Sequence, residues 1–351
     1  MNKLLYLEIS RGIAALLVVF HHVGLSSRFF LDNDFLADLF IFGHHGIDYF
    51  FVLSGFIIYY VHSNDSRSFN SVKNYILKRI IRIYPIFLLI SSILLIAYIQ
   101  MPEILNREDN IITFTRVIKS FLLLPSLEKP ILPISWTLIH EIFFYFTFIL
   151  IILNKRIGFL IFILWVILIF FYNIFLEKVF PYSFYLNSHN FEFLLGIVTA
   201  YLFKSNKFLK IKYFSSYILY FGLFIFILNG INTNYNFIYI SSFYQILLYG
   251  VSSSFILFGL VLLREPIYQN KLFKIFLLLG ASSYSIYIIH NPLLSVLFRI
   301  MKKTNLEYYL NDILIFLLFT SISIVVGILL HLIIEKPILK FLRKRLIKSN
   351  I

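Results

Sequence analysis

The chain has 351 residues, of which 60% are hydrophobic, 19% are aromatic and only 14% are charged, with a formal net charge of +14. Soluble domains average roughly 45–50% apolar and about 25% charged residues, so this composition excludes a soluble enzyme, a disordered protein and a nucleic-acid-binding domain. The absence of cysteine excludes disulfides, thiolate metal sites and cysteine nucleophiles.

Apolar runs recur along the whole chain. A helix that crosses a bilayer needs about 20 predominantly apolar residues, and the sequence therefore predicts an all-α, polytopic membrane helix bundle of about ten transmembrane helices in a single domain, 1–351. The predicted spans are 5–25, 43–62, 84–101, 134–153, 157–176, 183–203, 213–229, 237–263, 273–298 and 310–334. The sixth is the weakest, because only 191–203 is cleanly apolar, and it is also compatible with a re-entrant segment.

Lysine and arginine in the connections predict the orientation. Alternating spans with the N-terminus inside give a roughly two to one excess of positive charge on the inner side, which predicts that both termini are cytoplasmic. The net positive charge therefore reflects membrane topology and does not indicate that the protein binds nucleic acid. The longest connection, 102–133, then falls outside, and its amphipathic stretch 111–124 is expected to lie along the outer interface.

Ionisable residues inside predicted spans are costly and mark functional sites by default, and five of them stand out. They are Arg11, His22, Asp48, Glu141 and His290. The alternative is helix packing through hydrogen bonds between helices. At 1.5 Å per residue, all except Arg11 lie in the outer half of a core about 30 Å thick. Four groups from four spans at one depth favour a shared site.

Arg11 and His22 share one face of the first span. Their separation of eleven residues is about three turns, which places the imidazole roughly 16 Å outward from the guanidinium. This spacing suits a long substrate with an anionic inner end and a reactive outer end.

A basic face lies just before the third predicted span. Arg79 and Arg82 are i, i+3 neighbours, and Lys78 and Arg82 are i, i+4 neighbours. Guanidinium groups bind phosphate through paired hydrogen bonds. The alternatives are a positive-inside topology signal and a contact with anionic lipids.

Seven motifs in chain order resemble the acyltransferase-3 family of bacterial integral membrane O-acyltransferases, which modify cell-surface glycans. They are RGIAALLVVFHH (11–22), GIDYFFVLSGFI (46–57), RIIRIYP (79–85), SWTLIHEIFFY (135–145), EFLLG (192–196), SYSIYIIH (283–290) and EKP (335–337). The resemblance runs from the first span to the last. Some family members carry a fused extracytoplasmic hydrolase-like domain, and we expect none here because few residues follow the last span.

The resemblance implies roles at matching positions. His22 corresponds to the family's proposed catalytic base, and Arg79 with Arg82 to the arginines linked to the acyl-CoA donor. The tryptophan and glutamate of the fourth motif fall on Trp136 and Glu141. The late histidine of the family falls on His290.

Two positions depart from the family pattern. Glu8 and Ile9 replace an Asp-Gly pair, and Thr137 replaces a serine. Neither change removes a titratable group that the predicted site needs, but the role of Glu8 stays open. Tyr49, Tyr145 and Tyr287 lie near the predicted site, either as a sugar-binding surface or as packing residues.

The residues and the resemblance together predict an O-acyltransferase of the bacterial cytoplasmic membrane. Acetyl-CoA is the expected acyl donor, a cell-surface or lipid-linked glycan the acceptor, and no metal is expected. Phosphates would contact Lys78, Arg79 and Arg82, and a polar path past Arg11 would bring the thioester to His22. There the imidazole, which titrates near neutral pH, would deprotonate a sugar hydroxyl. Direct transfer is favoured because there is no cysteine.

Three supporting roles are predicted around this base. Glu141 or Asp48 would hold the imidazole or orient the sugar. His290 would polarise the thioester carbonyl or bind the acceptor.

Two other functions stay open at this point. A polyprenyl-phosphate-dependent glycosyltransferase would use acidic residues such as 32–34 (Asp-Asn-Asp) in the first outer connection, but a solvated acidic loop explains them better. A transporter or flippase of lipid or polysaccharide uses the same intramembrane residue types, but no paired broken helices mark an internal repeat.

Overall fold

A computed structural model describes residues 4–32, 34–65, 67–101, 111–205, 211–263 and 270–346. Within these residues the chain is helical and contains no β-strand. The first seven helices are α1 Leu5–Leu31, α2 Phe35–Leu39, α3 Gly46–His62, α4 Phe69–Gln100, α5 Phe114–Phe121, α6 Trp136–Leu153 and α7 Lys155–Phe175. The others are α8 Tyr182–Tyr185, α9 His189–Lys204, α10 Ser215–Tyr235, α11 Ser242–Leu262, α12 Lys271–Lys303, α13 Asp312–Leu330 and α14 Lys336–Leu346.

Nine helical segments among the described residues are long and apolar enough to cross a membrane. The all-α, polytopic fold class predicted from the sequence is confirmed, while the orientation of the termini stays a prediction. The sixth predicted span, 183–203, is divided between α8 and the 16-residue α9, which is shorter than a typical crossing.

The third predicted span begins earlier than expected. Helix α4 starts at Phe69, because the Ser68 side chain accepts a hydrogen bond from the Ser71 backbone N–H and caps the helix. Pro85 lies inside the helix and does not begin it. The basic residues at 78, 79 and 82 therefore lie in the middle of a continuous 32-residue helix instead of in the connection before it.

The outer amphipathic stretch forms α5, while residues 102–110 of the same connection lie outside the described residues. Phe114, Ile118 and Leu122 form an exposed apolar stripe, as expected for a helix at an interface. Arg116 is buried and donates to the Lys129 carbonyl at 2.7 Å, so it fastens the following loop. Placement at the outer membrane surface stays a prediction.

The described part of the chain divides into two compact units. Unit 1 lies within Met1–Ser63 and Ser188–His331, and unit 2 lies within Asn64–Asn187 and Leu332–Ile351. The predicted single domain is not tested by this division, and each unit is described by itself.

In unit 1, helices α1 and α12 pack side by side in the same direction. Gly12 faces Gly280 near one end, and Phe30 stacks on Phe298 at the other, with ring centroids 5.6 Å apart. A Cβ atom at position 280 would overlap the Glu8 carbonyl oxygen. Glycine is therefore required for the close approach of the two backbones, as at many helix contacts in membranes.

Helices α3 and α9 of unit 1 also run parallel. Asp48 lies beside His189 at one end, and Ser63 accepts a hydrogen bond from Lys204 at 2.6 Å at the other. A Cβ at Gly196 would overlap the Val52 carbonyl oxygen, so this pair also meets backbone to backbone. Although α9 is short, it packs against α3 along the whole length of α3.

Unit 2 contains α4, α6, α7 and α14. Buried Tyr75 on α4 donates a hydrogen bond to the Tyr145 carbonyl on α6 at 3.1 Å. A π-helical turn, His331–Glu335, precedes α14. This wide turn ends on Glu335, which is fully buried.

Candidate active site

The parallel register of α1 and α12 brings two histidines together. His22 on α1 and His290 on α12 are edge-on neighbours, with ring centroids 4.8 Å apart. His290 is fully buried, whereas His22 is partly exposed. The two residues predicted from distant parts of the sequence thus share one location in unit 1.

Backbone carbonyls fix the tautomers of both rings when they are neutral. His22 Nδ1 lies 2.9 Å from the Val18 carbonyl, and His290 Nδ1 lies 3.2 Å from the Ile286 carbonyl. Since a carbonyl only accepts, each Nδ1 carries the proton and each Nε2 keeps a lone pair. Within the described residues, no hydrogen bond reaches Nε2 of His22 or of His290.

Three further histidines continue this group. His21 lies 5.2 Å from His22 and 5.3 Å from His44, and His44 lies 5.6 Å from His45, all between ring centroids. We call His21, His22, His44, His45 and His290 the histidine cluster. The sequence pattern points only to His22 and His290, because the other histidines precede α3 in a 3₁₀ turn or point elsewhere on α1, and no spacing rule relates them.

Asp48 faces His45. Asp48 Oδ2 accepts a hydrogen bond from His45 Nδ1 at 2.8 Å, and Oδ1 lies 3.6 Å from His189 Nδ1. His189 Nδ1 also lies 3.0 Å from Glu192 Oε2. Asp48 was predicted to hold the His22 imidazole or to orient the sugar. In the structure, His22 Nδ1 instead forms a hydrogen bond with a backbone carbonyl. Asp48 therefore orients His45 and not His22.

Arg11 keeps the predicted place on α1. The helix is continuous from Arg11 to His22, so the two side chains lie on one face about 16 Å apart. Glu8 lies 3.5 Å from the Arg11 guanidinium, which gives the glutamate that departs from the family pattern a partner. One residue before Arg11, Ser10 accepts a hydrogen bond from Tyr49 at 2.6 Å, which ties α3 to α1.

Tyr287 lies one turn before His290 on α12. It is buried, and its ring centroid is 5.7 Å from that of His290. It therefore packs against the histidine pair.

In unit 2 the predicted residues form a second group. Arg79 lies over the rings of Tyr75 and Tyr145, 5.8 and 5.6 Å from their centroids. The Tyr145 hydroxyl donates a hydrogen bond to Glu141, one turn away on α6. The sequence placed Arg79 at the inner boundary and Glu141 in the outer half of the core. Tyr145 connects them directly.

Arg82 pairs with Glu335, at 2.6 Å between Nη1 and Oε1. Arg343 on α14 lies within electrostatic range of Arg79, Arg82 and Glu335. We call these three arginines the arginine cluster. Lys78 is exposed beside them.

Trp136 begins α6, five residues before Glu141. Its ring packs edge-on against His140, with centroids 5.9 Å apart, and His140 in turn stacks on Phe184. Trp136 is partly exposed, so part of its surface stays accessible at this end of the helix.

The acidic residues of the first connection have local partners. Arg28 pairs with Asp34 at 2.5 Å and with Asp38 at 2.6 Å, while Asn33 lies outside the described residues. Arg28 therefore offsets part of the negative charge of Asp34 and Asp38 and fastens the loop. The structure therefore gives no support to a metal and phosphate site there.

These features define the protein as a polytopic helical membrane protein with two polar sites, one of histidines and carboxylates and one of arginines. The family model described as an acyltransferase domain matches residues 4–332. The chain belongs to this acyltransferase-3 family and is a membrane acyltransferase. Searches of curated proteins and of solved structures returned no match.

Proposed function

We propose that this membrane acyltransferase transfers an acetyl group from cytoplasmic acetyl-CoA to a hydroxyl group of a cell-surface or lipid-linked glycan, at the bacterial cytoplasmic membrane. His22 is the general base. The observation that carries this proposal is the His22–His290 pair, in which a partly exposed imidazole keeps its Nε2 lone pair for a proton. Histidine is the side chain that most often serves as a general base in enzymes.

In the proposed reaction His22 first accepts a proton and later returns it. His22 Nε2 takes the proton of the sugar hydroxyl as its oxygen attacks the thioester carbonyl. The carbon–sulfur bond then breaks, and the imidazolium returns the proton to the leaving thiolate. The Val18 carbonyl orients the ring throughout and stabilises the positive charge on it.

His290 has a narrower role than its sequence position implied. A neutral His290 that donates through Nδ1 has only a lone pair at Nε2, so it accepts hydrogen bonds. This tautomer favours accepting a hydrogen bond from another hydroxyl group of the acceptor sugar over polarising the thioester carbonyl.

In unit 2, the arginine cluster and Lys78 are the proposed binding site for the donor's phosphates. Arg82 pairs with Glu335, and Arg343 lies within electrostatic range of the same carboxylate, so the cluster offers several guanidinium groups to a phosphate. Glu141, held by Tyr145, is the proposed residue that orients the sugar, and Trp136 offers a stacking surface to it.

Replacing Arg82 with lysine is expected to raise the KM for acetyl-CoA by about tenfold or more, because one charged hydrogen bond contributes about 1.5–3 kcal/mol. The value of kcat should change little. The measurement is acetyl transfer by purified protein at varied acetyl-CoA concentration. Lys73→Gln removes an exposed charge from the same helix and is the matched control.

A companion variant separates phosphate binding from folding. Glu335→Gln removes the carboxylate that competes for Arg82, so it should leave the KM unchanged or lower it. An unchanged KM in Arg82→Lys, or a raised KM in Glu335→Gln, would contradict the proposed phosphate site.

The proposed function is tested on the glycan and on the purified protein. Deletion of the gene should remove ester-linked acetate from surface glycans, and the wild-type gene should restore it. The purified protein should bind acetyl-CoA in detergent. Unchanged acetate together with no binding would favour a transporter instead.

A further inference from the structure

A second polar site in unit 1 is not used by the acyl transfer proposed above. It contains Asp48 on α3 and both His189 and Glu192 in the first turn of α9. One ligand atom of each residue lies within 4.8 Å of the others. Both carboxylates are fully buried.

The charge of this site needs compensation. If both are ionised, the two carboxylates carry two negative charges inside the protein, and burying a charge is costly unless a partner neutralises it. His45 donates one hydrogen bond to Asp48 Oδ2 and His189 lies beside both carboxylates, but neutral imidazoles leave both charges in place.

Two oxygen atoms at the site have no donor. Within the described residues, no hydrogen bond reaches Asp48 Oδ1 or Glu192 Oε1, although both atoms are buried. Buried polar atoms are nearly always satisfied, so an orphaned pair of carboxylate oxygens next to an imidazole needs an explanation. A bound cation supplies one.

The distances fit a metal ion. Zinc binds histidine nitrogen and carboxylate oxygen at about 2.0–2.2 Å in a tetrahedron, so two ligand atoms lie about 3.4 Å apart. The His189 Nδ1 atom is 3.6 Å from Asp48 Oδ1 and 3.0 Å from Glu192 Oε2. Small side-chain adjustments would bring one ligand atom of each residue, with either oxygen of the Glu192 carboxylate, to one ion.

The surroundings also match a metal site. Carboxylates that bind a metal usually accept a hydrogen bond through their other oxygen, which fixes their orientation. His45 supplies this bond to Asp48, and its own ring stacks on Tyr249, with centroids 3.6 Å apart.

We propose that Asp48, His189 and Glu192 bind one divalent transition-metal ion of the zinc class, which joins α3 to α9. The ion neutralises both carboxylates and holds Asp48 against His45. This departs from the expectation from sequence that the protein binds no metal. It does not depend on the acyl donor or acceptor.

The test uses the full chain purified in detergent. After treatment with a chelator and reloading with Zn²⁺, elemental analysis should give about one zinc per chain, as expected for a three-ligand site. Co²⁺ in place of zinc should give the visible absorption of a tetrahedral site. Chelation should lower the melting temperature, because an ion that binds only the folded state stabilises it.

Substitutions locate the ion. Glu192→Gln and His189→Gln should each lose the bound zinc, and His45→Gln, which alters the hydrogen bond to Asp48 without removing a metal ligand, should weaken zinc affinity by about tenfold or more. Glu335→Gln changes another fully buried glutamate, in unit 2, and should keep the zinc.

Two outcomes would overturn the proposal. The first is a wild-type protein that takes up neither Zn²⁺ nor Co²⁺, in which case protonated imidazoles or a shared proton neutralise the carboxylates. The second is zinc that is retained in both Glu192→Gln and His189→Gln. Because metal content and melting temperature are read without any acyl transfer, failure here leaves the proposed function standing, and the reverse also holds.

Discussion

Replacing His22 with glutamine is expected to lower acetyl transfer to the glycan by about a hundredfold to ten-thousandfold, which is the usual contribution of a general base. Glutamine keeps the approximate size and polarity of the side chain but cannot accept and return a proton. The measurement is ester-linked acetate on surface glycans, together with the amount of the protein in the membrane.

His62→Gln is the matched control for this substitution. His62 is a buried histidine in the same unit, but it lies at the far end of α3 and outside the histidine cluster. It should keep activity near the wild-type level. Wild-type acetylation in His22→Gln would refute the assignment of the base, whereas equal losses in both variants would indicate a general effect on folding.

Replacing Gly280 with valine is expected to abolish activity and to lower the melting temperature. A side chain there would overlap the Glu8 backbone, and overpacking costs about 1–3 kcal/mol, or more where the neighbour is backbone. Because Gly280 lies in the register that places His290 beside His22, moving α12 away from α1 also separates the two imidazoles. Thermal unfolding and acetyl transfer of the purified variant measure both effects.

Gly230 offers a contrasting position in the same unit. The atoms nearest to an added Cβ there belong to the Phe42 side chain, at 3.3 to 3.5 Å, and none of them is a backbone atom. Gly230→Ala should therefore be tolerated, with nearly unchanged melting temperature and activity. If Gly280→Val proves as harmless as Gly230→Ala, the α1–α12 contact does not determine the position of His290 relative to His22.

The positions of the helices were largely predictable. Apolar runs about 20 residues long identify crossings, because every backbone polar group in a bilayer must be satisfied within the helix. The start of α4 was missed because the charged residues and Pro85 resembled a boundary. The cap at Ser68 is a local hydrogen bond that a search for apolar runs does not detect.

The candidate site was predictable only in part. Arg11 and His22 share a face because both belong to one continuous helix, and the helical period alone determines this. The link from Arg79 through Tyr145 to Glu141 joins two helices, and no periodicity within either helix predicts it. His189 and Glu192 were missed for the same reason, since their partner Asp48 is more than a hundred residues away.

The sequence by itself determined the class of this protein: a helical, multi-pass membrane acyltransferase whose span composition and ordered motifs are properties of single segments. Only the tertiary structure decided which segments meet. The parallel contacts of α1 with α12 and of α3 with α9 depend on glycines that let two backbones approach, and these contacts fix which imidazoles and carboxylates become neighbours. Such pairings depend on the shapes of two surfaces at once, whereas composition and spacing describe only one helix at a time.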